Sequence, residues 1–77
     1  MEHTKPLSYV QALKRLSPRE CQILDMVAQE KANKEIANQL HLSIRTIESH
    51  RTKICQRIGI NGRGALEKWI REQPNSA

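Results

Sequence analysis

The residues best suited to recognition chemistry share one predicted helix, which we expect to begin after Ser43 and to end at Gly59. Residues on a helix advance by about 100° each, so polar and apolar side chains separate onto opposite faces. One face, called here the reading face, consists of Arg45, Glu48, Ser49 and Thr52, with Gln56 one turn further on. The opposite face consists of Ile47, Ile54 and Ile58, with Ile44 at its edge. A slim polar face on an isoleucine-backed helix suits the DNA major groove, where side chains must reach base edges.

A row of hydrogen-bond donors runs between these two faces. This donor flank consists of Thr46, His50, Lys53 and Arg57. Donors of this kind contact phosphate oxygens, so the flank predicts contact with a DNA backbone. Taken alone, the pattern is also that of an ordinary amphipathic surface helix with solvated charges, which is the commoner case. The remaining sequence decides between the two.

Length and charge narrow the possible functions. A chain of 77 residues makes one domain with a small core. Its net charge is +5, and residues 41–63 hold five basic side chains against one acid, Glu48, which gives +4 of that total. Such a concentrated basic segment favours a nucleic acid partner. Only Tyr9 and Trp69 are aromatic, which argues against single-strand binding by base stacking.

Cofactor, metal and small-molecule sites are not expected. Cys21 and Cys55 lie on different predicted helices without zinc-site spacing, so we expect two free thiols in a reducing cytosol. The three histidines have no matching set of carboxylates or cysteines: they are His3, His41 and His50. No residue pattern provides a nucleophile with its base, a phosphate-cradling glycine loop or paired carboxylates, so an enzyme is not expected.

No apolar run approaches the length of a membrane span, and the first residues lack the apolar core of a signal peptide. We therefore expect a cytoplasmic protein without membrane contact.

Helix-start and helix-stop residues divide the chain. Ser17-Pro18-Arg19-Glu20 is a capping box with proline at the first helical position, and Ser8 is placed to cap a shorter helix upstream. The main predicted helices cover residues 17–30, 33–40, 43–59 and 63–72. The sequence thus predicts an all-α fold, a compact four-helix bundle over residues 16–73. Residues 1–15 are expected to form an arm or a linker helix, with a loose arm up to Leu7, and residues 74–77 a tail.

The two middle helices carry the function. A short helix, a tight connection at His41-Leu42 and a longer helix predict a helix-turn-helix, whose second helix enters the major groove. Ala37 is small where two steeply crossing helices need their backbones close. Any compact bundle contains helix–turn–helix pairs, but here the pair coincides with the reading face, the donor flank and the local charge. Together they indicate binding to double-stranded DNA.

From Leu16 to about Ile70 the chain resembles the LuxR/GerE-type DNA-binding domain. The matching motifs, in order, are Leu-Ser-Pro-Arg-Glu (16–20), Asn-Lys-Glu-Ile-Ala (33–37), Thr-Ile-Glu-Ser-His-Arg (46–51), and Ile-Gly-Ile (58–60) followed by Arg63. The form Thr-Ile-Glu-x-His-Arg is most similar to the FixJ/NarL branch, in which this domain is the output half of a response regulator. The resemblance implies four helices with the third as reader, two-fold dimers on an inverted repeat, and a role in transcription regulation. It also implies a bacterial protein that is associated with the nucleoid when it is bound to DNA.

The resemblance also implies roles for individual positions. Family positions that face bases match Glu48, Ser49 and Thr52. Those that approach phosphates match Lys34, Thr46, His50 and Arg51, and the position of Arg63 lies close to the backbone or to the core of the fold. Arg51 sits beside the isoleucine face, so we expect its stem to pack inward and its head to reach a phosphate.

Three positions depart from the family pattern. Many members carry Lys or Arg where this chain has Glu48. An acid at this position can accept a hydrogen bond from cytosine N4 but cannot donate one to guanine. The usual glycine after the first family helix is replaced by Glu30-Lys31. Ala32 stands where the family usually has a Ser or Thr that caps the next helix. Either Asn33 caps that helix instead, or the helix begins less sharply.

The last helix is the expected dimer contact, through Leu66, Trp69 and Ile70. Terminal helices of the family commonly join two copies, and we expect the homodimer to be weak without DNA. The alternative is that Trp69 closes the core of its own chain. The alternative function is a helical interaction module with little DNA affinity, which docks an effector, an RNA polymerase subunit or its own copy. Salt-sensitive binding to arbitrary duplex DNA separates the two.

Overall fold

Five helices make up the fold. The computed structural model describes residues 5–74, so the start of the predicted arm and the last three residues of the predicted tail lie outside it. The helices are α1 (Tyr9–Arg15), α2 (Pro18–Ala28), α3 (Asn33–Leu40), α4 (Ile44–Ile58) and α5 (Ala65–Arg71). Residues 5–74 contain no strand. The prediction of an all-α helix-turn-helix fold is confirmed.

Serine caps begin three of the helices where the sequence predicts them. Ser17 Oγ accepts from the Glu20 amide at 3.1 Å, and Glu20 Oε1 accepts from the Ser17 amide at 2.9 Å, which completes the capping box of α2. Ser8 caps α1 in the same way. Ser43 Oγ accepts from the Thr46 amide at 3.0 Å and starts α4. A cap of this kind contributes about 1 kcal/mol to stability.

All five helices, together with Leu16 after α1, contribute to one apolar core. Its buried residues are Ala12, Leu16, Ile23, Leu24, Val27, Ile36, Ala37, Ile47, Ile54, Ile58, Leu66 and Trp69. The apolar face of α4 is therefore turned inward as predicted, with Ile44 at its edge 45% exposed. Burial of the isoleucines fixes the rotation of α4 about its axis, and so sends the reading face outward.

The segment before α1 is hydrogen-bonded to α4 and α5. The Leu7 amide donates to the Ile58 carbonyl at 3.0 Å, and Trp69 Nε1 donates to the Leu7 carbonyl at 2.9 Å. The Trp69 ring also stacks on Tyr9 at a centroid distance of 5.7 Å. Ala12 of α1 is fully buried in the core. Leu7 is thus docked, although the sequence predicts a loose arm up to this residue.

Helix α2 is terminated by a left-handed residue that is not a glycine. Glu30 has a φ of 65°, in the left-handed region. The Glu30 amide donates to the Val27 carbonyl and the Lys31 amide to the Met26 carbonyl, which is the hydrogen-bond pattern of a Schellman C-cap. A glutamate adopts this conformation at a steric cost of about 1–2 kcal/mol.

Replacing Glu30 with glycine is therefore expected to stabilise the domain by about 0.5–1 kcal/mol. Glycine removes the steric cost in the folded state, but part of this gain is lost because glycine makes the unfolded chain more flexible. Urea unfolding followed by circular dichroism measures this as a higher midpoint at an unchanged slope. Glu30→Ala is the matched control, because it removes the same charge but keeps the Cβ. Equal stability of the two variants would contradict the assignment of backbone strain to Glu30.

The last helix begins later than predicted, at Ala65 instead of residue 63. Gly62 and Gly64 have φ angles of 101° and 71°, so the connection from α4 stays non-helical until Gly64. Leu66 and Trp69 of α5 are buried, with 2% and 5% exposure. Ile70 stays half-buried. Trp69 therefore closes the core of its own chain, which was the alternative to a dimer contact.

Candidate nucleic-acid interface

Helices α3 and α4 form the helix-turn-helix. His41 takes a left-handed φ of 57°, and the Leu42 amide donates to the Ala37 carbonyl at 2.9 Å, so α3 ends sharply. Ser43 then caps α4 only two residues later. Ala37 is 3% exposed, which fits the need for a small residue where the two helices cross. The short turn holds α4 at a fixed angle across α3, with its polar side away from the core.

The reading face is exposed along its whole length. Its four side chains are all open to solvent, as is Gln56 beyond them. Within residues 5–74, the side chains of Arg45, Glu48 and Ser49 form no hydrogen bond or ion pair. Thr52 differs, because its hydroxyl donates to the Glu48 backbone carbonyl at 3.1 Å. Polar groups that are exposed and unpaired are free to bind a ligand, and the assignment of this face to base contact stays a prediction.

The donor flank is divided between free and engaged groups. Lys53 is exposed and His50 is half-buried. Thr46 shares a 2.9 Å hydrogen bond with the Ser43 hydroxyl at the start of α4. Arg57 Nε lies 3.6 Å from Glu20 Oε2, with the Arg57 side chain 53% exposed and the Glu20 side chain 5% exposed. Glu20 thus orients Arg57 at one end of the flank but leaves half of its surface open.

Lys34 and Arg63 lie outside α4. Lys34 is exposed in the first turn of α3, the helix that is expected to cross the DNA backbone. Arg63 is exposed in the connection between α4 and α5, so its side chain is not part of the core.

Arg51 is engaged within the protein. Its guanidinium forms an ion pair with Glu67 of α5 and donates to Asn33 Oδ1 at 3.2 Å. The sequence predicts that this head group reaches a phosphate, whereas here it ties α4 to both α3 and α5. Asn33 consequently bonds Arg51 and does not cap α3. Ala32 is the N-cap residue of α3 and provides no side-chain cap, but its amide donates to Glu35 Oε1 at 2.9 Å.

The electrostatics of Glu67 reflect this pairing. Partial burial raises the pKa of its carboxyl group, but the hydrogen bond from Arg51 and the positive charges of Arg51 and Arg71 outweigh burial, so the pKa lies below its usual value. Glu67 therefore stays ionised at neutral pH and holds Arg51 in place. Local spacing could not predict the pair, because its members are 16 residues apart.

Both cysteines are free thiols. Burial raises the pKa of the Cys55 thiol, an effect that nearby Glu67 adds to and Arg51 opposes. Cys55 is thus protonated at neutral pH and a poor nucleophile. In the part of the chain that the structure describes, no three His, Cys, Asp or Glu side chains lie together as metal ligands would. The helices of that same part are too short or too polar for any of them to cross a membrane.

Comparison with known proteins agrees with this geometry. Over 56 residues the chain is 39% identical to the oxygen regulatory protein NreC of Staphylococcus aureus, in strains JH9 and USA300 alike, and the match covers 73% of this chain and 26% of the relative. The chain thus spans about a quarter of the length of these curated relatives. No solved structure matches it significantly. Residues 14–69 match the family described as bacterial regulatory proteins, luxR family, and the chain therefore belongs to that family.

Proposed function

We propose that this chain binds double-stranded DNA sequence-specifically in transcription regulation, with α4 in the major groove. The observation that carries the proposal is the reading face: a row of exposed polar side chains on the second helix of a helix-turn-helix. The major groove is about 12 Å wide and a helix with its side chains about 10–12 Å across, so only a slim outer face allows base contact. Arg45, Glu48, Ser49 and Thr52 are assigned to base edges.

Phosphate contacts are assigned to both sides of the helix-turn-helix. One DNA strand is assigned to the donor flank, namely Thr46, His50, Lys53 and Arg57. The DNA backbone that α3 crosses is assigned to Lys34. Arg51 supports α4 through Glu67 and Asn33 in this proposal, and so contributes to binding by positioning. Membership of a family of regulatory proteins supports a role in transcription.

We also propose that two copies pair weakly on an inverted repeat. Burial of Leu66 and Trp69 leaves Ile70 as the main apolar group that α5 offers to a partner. One short helix from each copy buries much less than the roughly 1,600 Å² of a standard interface. DNA would then supply most of the pairing energy, by holding two copies on half-sites about one helical turn apart.

Salt dependence tests DNA binding itself. With about four to six phosphates contacted per subunit, the logarithm of the affinity should fall against the logarithm of salt concentration with a slope near −0.9 per contact, or about −4 to −5. Fluorescence anisotropy with a labelled duplex of arbitrary sequence measures the slope. Lys53→Ala should make it shallower by about one contact, whereas Lys14→Ala on α1 should leave it unchanged. A flat response, or no binding at low salt, would support the interaction module instead.

A further inference from the structure

One edge of the reading face has a distinct hydrogen-bonding character. Glu48 and Thr52 are four residues apart on α4, so their side chains neighbour each other one turn apart on the same side of the helix. The hydroxyl hydrogen of Thr52 is used, since it donates to the Glu48 backbone carbonyl at 3.1 Å. What Thr52 can still offer a ligand is the lone pairs of its oxygen and its methyl group. We call these two residues the acceptor edge.

The other member of this edge also lacks a donor. An ionised glutamate accepts hydrogen bonds but has none to give. Glu48 is exposed, and no ion pair is formed by its side chain within residues 5–74. Arg51, three residues further along the same helix, is held by Glu67 and Asn33. The carboxylate of Glu48 is therefore available to a ligand, and Arg51 does not compensate the negative charge of this carboxylate.

Base edges in the major groove differ in what such a surface can bind. Guanine presents two acceptors, O6 and N7, which would face the Glu48 carboxylate with like polarity. Adenine presents an amino group beside the acceptor N7. Cytosine presents its N4 amino group without a neighbouring acceptor, so it matches a carboxylate best. A mismatched carboxylate also stays close to negative phosphates without a compensating hydrogen bond, and this repels wrong sequences.

We propose that the acceptor edge reads the exocyclic amino group of a cytosine through Glu48 and rejects guanine at that base. Thr52 cannot donate to guanine either, so it extends the same preference to the neighbouring step through the lone pairs of its hydroxyl oxygen. Arg45, one turn before Glu48, is the donor of the reading face and suits guanine. The half-site is thus expected to place a guanine opposite Arg45 and a cytosine opposite Glu48. This inference rests on the DNA binding proposed above.

The test exchanges single base pairs against matched variants. A site is first selected with the wild-type chain from randomised duplexes, and each position of the half-site is then changed to the other three base pairs. Affinities are measured by anisotropy for the wild type, Glu48→Gln and Asp25→Asn. Asp25 is exposed on α2, so its variant removes one negative charge away from the reading face. Thermal unfolding by circular dichroism confirms that each variant is folded.

The wild type should prefer cytosine over guanine by about 10- to 100-fold at one position. Glu48→Gln should reduce that preference to about threefold or less, because an amide offers a donor as well as an acceptor. Asp25→Asn should preserve it. Thr52→Val should weaken discrimination at the adjacent step, and Thr52→Ser should keep it. Specific binding with no position that responds to Glu48→Gln, or a wild-type preference for guanine at that position, overturns the inference but leaves DNA binding intact. Absence of DNA binding by the wild type overturns the proposed function itself.

Discussion

Replacing Trp69 with alanine is expected to remove about 3–5 kcal/mol of the free energy of unfolding. The Trp69 side chain is 5% exposed, stacks on Tyr9 and donates to the Leu7 carbonyl. Its truncation leaves a cavity and also deprives Leu7 of its hydrogen-bond donor. At about 0.05–0.15 kcal/mol per residue, a domain of 77 residues has a total stability of only about 4–12 kcal/mol. The loss is therefore at least about a quarter of the total stability, and at the lower end of that range the variant is unfolded at room temperature.

Urea unfolding monitored by circular dichroism measures the loss. Lys68→Ala is the control, because Lys68 precedes Trp69 on α5 but is exposed. It should change stability by less than about 0.5 kcal/mol. The opposite pattern, a Trp69→Ala variant that is as stable as the wild type but no longer pairs on a two-site duplex, would make Trp69 a dimer contact and refute its place in the core.

Replacing Ser49 with phenylalanine is expected to lower specific DNA affinity by about 100-fold or more, toward the level of non-specific binding. Ser49 lies near the middle of the reading face and is exposed, so the protein should stay folded. The steric margin of α4 in the groove is small, and a benzyl group on its outer face would hold the helix away from the bases. Non-specific binding at low salt should persist, because no charge changes.

Competition between a selected duplex and an unrelated duplex measures this loss as a ratio of affinities. Gln22→Phe is the matched control, since Gln22 is an exposed position on α2 that we place away from DNA. It should keep the wild-type ratio. If Ser49→Phe also keeps that ratio while the fold is intact, α4 does not enter the groove and another surface of the domain must read DNA.

Local signals predict the starts of α1 to α4 and the orientation of α4, but they place the start of α5 two residues too early. Serine caps and the proline start depend on residues three apart, and the isoleucine spacing of α4 depends only on helical periodicity. The caps at Ser8, Ser17 and Ser43, and the left-handed end of α4 at Gly59, are all present. The outward reading face follows directly from the buried isoleucines.

Contacts between distant residues were beyond the reach of these signals. Arg51 is 18 residues from Asn33 and 16 from Glu67, and Trp69 is 62 residues from Leu7. No periodic pattern relates such positions, so the sequence predicts neither the pairing of Arg51 with Asn33 and Glu67 nor the docking of Leu7. The residue type of Glu30 does not predict its left-handed conformation, because a side chain with a Cβ disfavours that conformation.

Selection from a pool of randomised duplexes tests sequence-specific reading by α4 most directly. The wild-type chain should enrich one defined half-site over several rounds, in inverted repeat if two copies pair. Variants of the reading face, such as Ser49→Ala, should enrich an altered half-site, whereas Lys34→Ala and Lys53→Ala should enrich the wild-type sequence with lower affinity. Binding of the pool without enrichment of any sequence, or the same half-site from every reading-face variant, would contradict the assignment of α4 as the reader.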